Sequence, residues 1–329
     1  MRAHVITEFG KAGRLHDDVP LPRPGQGELL IAVQASGVNP ADLKIAAGLM
    51  GPAAPSLPAI LGMDFAGIVT EVGPGVRDFA VGDAVYGCAG GVKGRPGTLA
   101  EFVAVDARLV APKPARLSMR EAAALPLVSI TAWEGLIDRA ALNVDETVLV
   151  HGAAGGVGHV AIQIAKAFGA KVYATASTPA KLAVAQRLGA EPIPYRDMPV
   201  EDYVARHTGG AGFDVVFDTV GGAVLEQSAL ATRLYGRLVS CAAWEPHDLV
   251  PILGRSLDLI GIFMLLPMLT GQGLAHHGDI LREVATLVDA GTLAPLLDPV
   301  RFSLENAEAA HAHLHSGRAM GKVVIDIAD

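Results

Sequence analysis

The sequence is short of sulfur and of rings. Of 329 residues only Cys88 and Cys241 are cysteine, and aromatic residues make up 5%. Two cysteines give no disulfide framework and exclude a zinc site built from four thiolates. They fit a reducing, cytoplasmic compartment, and with no nucleophile motif around either, both read as ordinary buried thiols. Charge is sparse as well, at 18%. There is no basic run, and 26 basic against 34 acidic residues leave a formal net charge of −8. A nucleic-acid partner, which needs clustered Lys and Arg, is therefore not expected. Long apolar runs are missing too. The longest, residues 257–269, contains Asp258 and Pro267 and is too short to span a bilayer. The N-terminus lacks the charged-then-apolar pattern of a signal peptide, so no membrane partner is expected.

What the chain does contain is apolar bulk, at 51%, with 38 glycines and 21 prolines. That is ample for a buried core and argues against disorder. Short apolar runs at 29–35, 67–72, 80–86 and 100–105, separated by turn signals such as Gly73-Pro74-Gly75, predict a small β-barrel. A connector follows at Ala111-Pro112-Lys113-Pro114. Ser118-Met119-Arg120-Glu121 is then a capping-box pattern. From Glu121 onward, helical patterns alternate with short strands at 147–150, 172–176, 215–218, 238–240 and 257–263. This alternation predicts a parallel sheet with crossover helices. A helix over 304–316, with Ser303 as N-cap and Gly317 as stop, leads to an alternating stretch, 322–327, that can rejoin the first domain as a strand.

Residues 148–158 read V-L-V-H-G-A-A-G-G-V-G. A strand running into glycines and then a helix lets the backbone approach a pyrophosphate, which the N–H groups and dipole of the helix N-terminus stabilise. The spacing is G-x-x-G-x-x-G, on Gly152, Gly155 and Gly158, with Ala153 where G-x-G-x-x-G has its first glycine. Gly152, Ala154, Gly155, Gly156 and Val157 are the candidate pyrophosphate contacts. Val157, Val160, Ala161, Ile164, Ala165 and Phe168 share an apolar helix face, with His159, Gln163 and Lys166 on another. His151 reads as the last residue of a buried strand. The end of the next strand separates NAD from NADP, since an acidic residue there binds the ribose 2′-hydroxyl. Here the chain has Ala176-Ser177-Thr178-Pro179-Ala180-Lys181, with no carboxylate. Ser177 and Lys181, joined by Tyr195 and Arg196, suit a 2′-phosphate and favour NADP(H). Thr178 also reads as an N-cap with Pro179 at N1, and Lys181 and Arg196 as solvent-facing cations.

Seven stretches line up in order: G-V-N-P-A-D-L-K (37–44), L-G-M-D-F-A-G-I-V (61–69), V-G-D-A-V-Y-G (81–87), G-T-L-A-E-F-V (97–103), L-P-L-V-S-I-T-A-W (125–133), the glycine turn, and S-G-R-A-M-G-K-V-V (316–324). Together they resemble the medium-chain dehydrogenase/reductase superfamily, in its zinc-independent quinone oxidoreductase branch, essentially end to end. The resemblance implies an α/β fold: a Rossmann doubly wound parallel sheet inserted into a GroES-like β-barrel catalytic domain. The catalytic domain would comprise 1–121 and 267–329, and the NADP(H)-binding domain 122–266, with the active site in the cleft. Zinc-dependent relatives carry Cys where this chain has Asn39, and Gly-His-Glu where it has Gly62-Met63-Asp64. Amide and thioether are poor zinc ligands, so no catalytic or structural zinc is expected. His311, His313 and His315 read as a surface helix, and His276-His277 as a loop pair.

Without a Lewis acid, hydride transfer to a quinone or an α,β-unsaturated carbonyl is the reaction expected, because the charge that develops is delocalised. By similarity, Asn39, Asp42 and Lys44 are the catalytic candidates, with Lys44 either a donor to the substrate oxygen or solvent-facing. Asn39, Thr131, Val220, Ser240, Phe263 and Lys322 are cofactor contacts on the same basis. Asp42 and Asp218 also read as turn caps, and Phe263 as core. Two other readings stay open: an alcohol dehydrogenase-like enzyme, and a non-enzymatic, crystallin-like NADPH-binding protein. The family commonly dimerises through the last strand of the Rossmann sheet, here 257–263, so a homodimer is expected.

Overall fold

A computed structural model describes residues 1–328. The chain divides into two compact units. The first comprises residues 1–127, 265–291 and 295–329, and the second 128–264 and 292–294.

In the first unit a long strand, Glu28–Gly37, is the organising element. Seven of its ten residues are apolar or glycine, and both faces are largely buried, so it occupies the middle of a seven-stranded sheet. It pairs antiparallel with Asp64–Val72, Phe102–Asp106 and Val324–Asp326. Asp64–Val72 continues to Ala84–Cys88, and that strand to Val110–Pro112. The expected strand at 80–86 thus begins only at Ala84. Val81 is exposed and the preceding residues form a turn, closed by the Ala80 N–H to Asp83 Oδ2 bond. Three short strands, Ala3–Ile6, Arg14–His16 and Ala59–Ile60, form a separate small sheet. The unit also holds the helices Pro40–Ala46 and Ala307–His315, which pack on each other.

The second unit holds six parallel strands. They are β1 (Thr147–His151), β2 (Lys171–Ala176), β3 (Glu191–Pro194), β4 (Phe213–Asp218), β5 (Thr232–Ser240) and β6 (Asp258–Gly261). Their order is β3-β2-β1-β4-β5-β6, so the strand order reverses beside β1, where open α/β sheets bind nucleotides. Leu149, Ile193, Tyr203, Phe213, Val216, Leu225 and Leu238 form a core against the sheet.

Unit boundaries fall at 127/128 and 264/265, compared with the expected 121/122 and 266/267. The capped helix Met119–Ala123 packs on Glu28–Gly37 and Asp64–Val72 and so belongs with them. Residues 292–294 join the second unit because Gln163 grips Ala294 twice: its Nε2 donates to the Ala294 carbonyl and its Oε1 accepts the Ala294 N–H, both at 2.9 Å. Consequently the polar side of the helix Gly156–Ala167 is not wholly solvent-facing. His159 and Gln163 are buried, and Lys166 alone of the three is exposed. Among the described residues, no helix is long and apolar enough to cross a membrane.

Candidate active site

In the first unit, sheet register assembles a buried polar cluster from distant parts of the chain. Gly37 pairs with both Asp64 and Val324, and Asp64 pairs with Cys88. Asn39 and Lys322, each two residues from this row, therefore converge on Asp64. Gly37 is required: a Cβ there would lie 2.3 Å from the Ala123 carbonyl oxygen and 3.0 Å from the Asp64 side chain.

Lys322 Nζ donates to Asp64 Oδ2 (3.1 Å), to the Val38 carbonyl (3.1 Å) and to Asn39 Oδ1 at 2.5 Å. Asn39 Nδ2 donates to Asp64 Oδ2 at 2.9 Å, and the Leu127 N–H to Asp64 Oδ1 at 2.8 Å. Asp42, at the third position of the helix Pro40–Ala46, accepts the Asn39 N–H at 2.8 Å. All four side chains are buried. An isolated buried charge costs several kcal/mol, and here the ammonium offsets Asp64 while every Asn39 polar atom has a partner. Burial, aided by the neighbouring charge of Asp64, pushes the Asp42 carboxyl up to about 7, against the opposing pull of Lys322 and the Asn39 N–H. Burial likewise pushes the Cys88 thiol up, which makes it inert.

Asn39, Asp42 and Lys322 are thus brought together, whereas Lys44 is not. It projects from the other side of the same helix and lines a groove with His311 and His315. The member of this cluster that sequence reasoning left out is Asp64. Its signal is a carboxylate inside the apolar run L-G-M-D-F-A, since a buried carboxylate needs a cationic partner. Among the described residues, no three His, Cys, Asp or Glu side chains are grouped to hold a metal ion. The expected loop pair His276-His277 lies in the helix Leu274–Asp289, with His277 fully buried. The helix of His311, His313 and His315 is also less open than expected: His313 Nε2 lies 3.1 Å from Asp298 Oδ1.

In the second unit the glycine turn follows β1. Gly152 has φ +79°, and a Cβ on Gly158 would lie 2.1 Å from the Gly152 carbonyl oxygen, so no larger residue fits there. Gly155 is the N-cap of the helix Gly156–Ala167 and places no side chain over its first N–H groups. This leaves a backbone cradle with positive dipole character, which fits the diphosphate of a nicotinamide dinucleotide. His151 closes β1, with Nδ1 3.0 Å from Thr175 Oγ1. Burial lowers its pKa to about 4, in spite of Asp218, so it is neutral at pH 7.

At the ends of β4 and β5, Asp218 organises a second turn. Its Oδ1 accepts the N–H groups of Val220 and Gly221, both at 2.9 Å, and its Oδ2 accepts the Ser240 hydroxyl at 2.8 Å. Val220 is left 54% exposed beside the strand end, while Ser240 is buried and spent on Asp218. The role of Asp218 as a turn cap is therefore real. Ser177 follows β2, and Thr178 after it caps the helix Pro179–Arg187 by accepting the Lys181 N–H. Ser177 and Lys181 are half-buried, and Tyr195, just past β3, is exposed. Phe263 lies beyond β6 and packs edge-on against Trp244. Thr131 is buried in the helix Pro126–Trp133.

Residues 25–115 match the alcohol dehydrogenase GroES-like domain, and residues 156–273 match the zinc-binding dehydrogenase domain. A 2-methylene-furan-3-one reductase from Solanum lycopersicum is 34% identical over 99% of this chain and 79% of its own length. The chain belongs to the medium-chain dehydrogenase/reductase superfamily. Like other members of that superfamily it is an oxidoreductase that binds a nicotinamide cofactor, with a GroES-like domain and a Rossmann-type parallel sheet. An alcohol dehydrogenase superfamily protein from Novosphingobium aromaticivorans has the same fold, at 48% identity and TM-score 0.96, with both chains covered completely. A quinone oxidoreductase from Pseudomonas syringae (28%, TM-score 0.86; 99% and 100% covered) and a mycobacterial protein complexed with NADPH (30%, TM-score 0.86; 99% and 100% covered) are similar throughout. The chain also matches the spectinabilin polyketide synthase system protein NorB of Streptomyces orinoci, at 37% identity over 91% of its own length, but spans only 13% of that protein.

Proposed function

We propose that this oxidoreductase uses NADPH to reduce a quinone or an α,β-unsaturated carbonyl and works without a resident zinc ion. The observation that carries the reading is the Lys322 ammonium, bonded to Asn39 Oδ1 and Asp64 Oδ2. Positions 39 and 62–64 are where zinc-dependent relatives carry ligands. In this chain a fixed positive charge fills that polar centre and would repel a divalent cation, and Met63 beside it is buried and supplies only a thioether. An acceptor that is already electrophilic, able to spread the incoming charge over a conjugated system, suits such a site better than an alcohol. The names of two relatives, a furanone reductase and a quinone oxidoreductase, agree with this class.

The bound nicotinamide would supply the hydride. This chain's residues supply position and electrostatics. The backbone of Gly152, Ala154, Gly155, Gly156 and Val157 holds the diphosphate. Ser177, Lys181 and Tyr195 hold a 2′-phosphate, since no carboxylate at the end of β2 opposes it. Asp218 fixes the Val220–Gly221 turn against the cofactor. Asn39, Asp42 and Lys322 act as positioning residues, locking the start of the helix Pro40–Ala46. We also read β6 as a homodimer contact: it is the sheet edge, and Leu259 on it is 45% exposed.

The test is a panel of quinones and enones assayed with NADPH and with NADH, alongside metal analysis and sedimentation. Reduction of at least one acceptor with NADPH favoured about tenfold or more, activity that survives a chelator, and a dimer are expected. NADH preference would overturn the cofactor reading. Tight NADPH binding with no acceptor reduced would overturn the enzymatic one. Stoichiometric zinc with activity lost to a chelator would return the chain to alcohol dehydrogenase-like chemistry.

A further inference from the structure

Outside the cluster and the glycine turn, the first unit carries a groove of about 670 Å³ between the helices Pro40–Ala46 and Ala307–His315. Its size lies in the range of small-molecule sites. Its walls are apolar, from Ile6, Leu43, Ala46, Leu61 and Leu314, and at its edge Leu49 is 77% exposed. A large aliphatic side chain standing that far into solvent beside an apolar trough is the kind of surface a ligand covers.

The polar groups of the groove are unusual for this chain. With a net charge of −8, acidic side chains should predominate on an average patch of surface. Here the ionisable residues are Lys11, Lys44, His311, His315 and one carboxylate, Glu308. Glu308 is already engaged: Oε1 accepts the Gly13 N–H at 2.8 Å and lies 3.3 Å from His4 Nε2. Burial, partly opposed by Glu308, lowers the pKa of His311, so this ring is a neutral donor or acceptor at pH 7. Lys11 supplies the ammonium group an anionic ligand would meet at the rim; Lys44, which also lines the trough, already has a partner.

We infer that this groove is a second ligand site, for a single-chain amphipathic carboxylate whose alkyl tail lies along Leu43, Leu61 and Leu314 and whose head group meets Lys11 at the rim. A neutral alcohol of equal length would forgo the charge pairing, and an alkylammonium would be repelled. None of the groove's lining residues belongs to the buried cluster or to the glycine turn.

Dodecanoate is the probe, titrated calorimetrically into the full chain below its micellar range, with and without saturating NADPH. One site per chain is expected, with dodecan-1-ol at least about tenfold weaker and dodecyltrimethylammonium not bound. Ala312→Trp, which places a ring in the trough from an exposed position, should weaken dodecanoate about tenfold or more. So should Lys11→Glu combined with His315→Glu, which act at the rim and test the charge pairing separately from the packing. NADPH affinity should be unchanged in both variants, which confirms that the fold is intact. No binding of dodecanoate, equal binding of the three amphiphiles, or an affinity untouched by either variant would overturn the inference. Competition between dodecanoate and NADPH would overturn it too, by placing the probe at the cofactor site.

Discussion

In the first unit, charge is sealed among side chains: an ammonium and a carboxylate from positions 322 and 64 meet through an amide from position 39, all of them buried. In the second, the groups that would face charge are backbone N–H donors at a helix start, kept bare by glycines and backed by a neutral, buried His151. One region is complete in itself, with donor matched to acceptor. The other is left incomplete, and its unmatched donors are what a dinucleotide would satisfy. The contrast separates residues that hold the fold from residues that hold a ligand, even where both are polar and central.

The most disruptive way to break the first region is Lys322→Met. It strands the Asp64 charge without a cation and should cost about 3–5 kcal/mol of stability, read from the urea unfolding midpoint. Adding Asp64→Asn should recover part of the loss, because the stranded charge is then gone. If the single variant were as stable as the wild type, the cluster would not be a structural clamp.

Asp42 sharpens the same region through pH. Its carboxyl is pushed up to about 7 in the folded chain, while an unfolded carboxyl ionises near 4. The folded state therefore keeps a proton that the unfolded state has released. Stability is full below about pH 4 and falls as pH rises to about 7, by at most about 1.4 kcal/mol per pH unit, then levels off. Asp42→Asn cannot ionise, and unfolding midpoints across this range should be correspondingly flatter than those of the wild type.

The second region breaks sterically. Gly158→Ala places a methyl group 2.1 Å from the Gly152 carbonyl oxygen, and the turn must shift. A stability loss of about 1–3 kcal/mol and NADPH binding weakened by about tenfold or more are expected, by unfolding and by fluorescence titration. Both losses should exceed those of Gly156→Ala, at the first position of the helix. The smallest effect belongs to the cofactor choice. Ser177→Asp with Lys181→Ala should move the ratio of NADPH to NADH affinities by about tenfold, or about 1.4 kcal/mol, leaving stability near the wild-type value.

How far each region is legible in the sequence depends on how it is built. The glycine turn, the strand before it and the helix after it are contiguous, and each obeys a local rule of periodicity or sterics. Their placement, the strand-helix alternation and the capping box at Ser118 are readable without tertiary knowledge. Asp64 and its role are not readable from spacing, because its partners lie 25 and 258 residues away and register alone joins them. Lys44, expected either at the substrate oxygen or facing solvent, is not decided by spacing for a related reason. On a helix it lies only two positions from Asp42, and the opposite face is decided by what packs there. Gln163 shows the same limit: its place on a second helix face is legible, but its two bonds to the distant Ala294 are not. The pair His276-His277 reads as a loop because histidine carries little helix signal, whereas burial of His277 comes from packing.

The bond between Asn39 and Lys322 spans 283 residues. A ribosome adding roughly 5–20 residues per second exposes Asn39 and Asp64 well before their cation exists, a delay of roughly 15–60 s. Throughout that interval the strand Glu28–Gly37 also lacks its partner Val324–Asp326, while β1 to β6 are available to pair among themselves. The nascent chain must therefore carry a half-made first unit, with a carboxylate still in water, until the segment around Lys322 emerges.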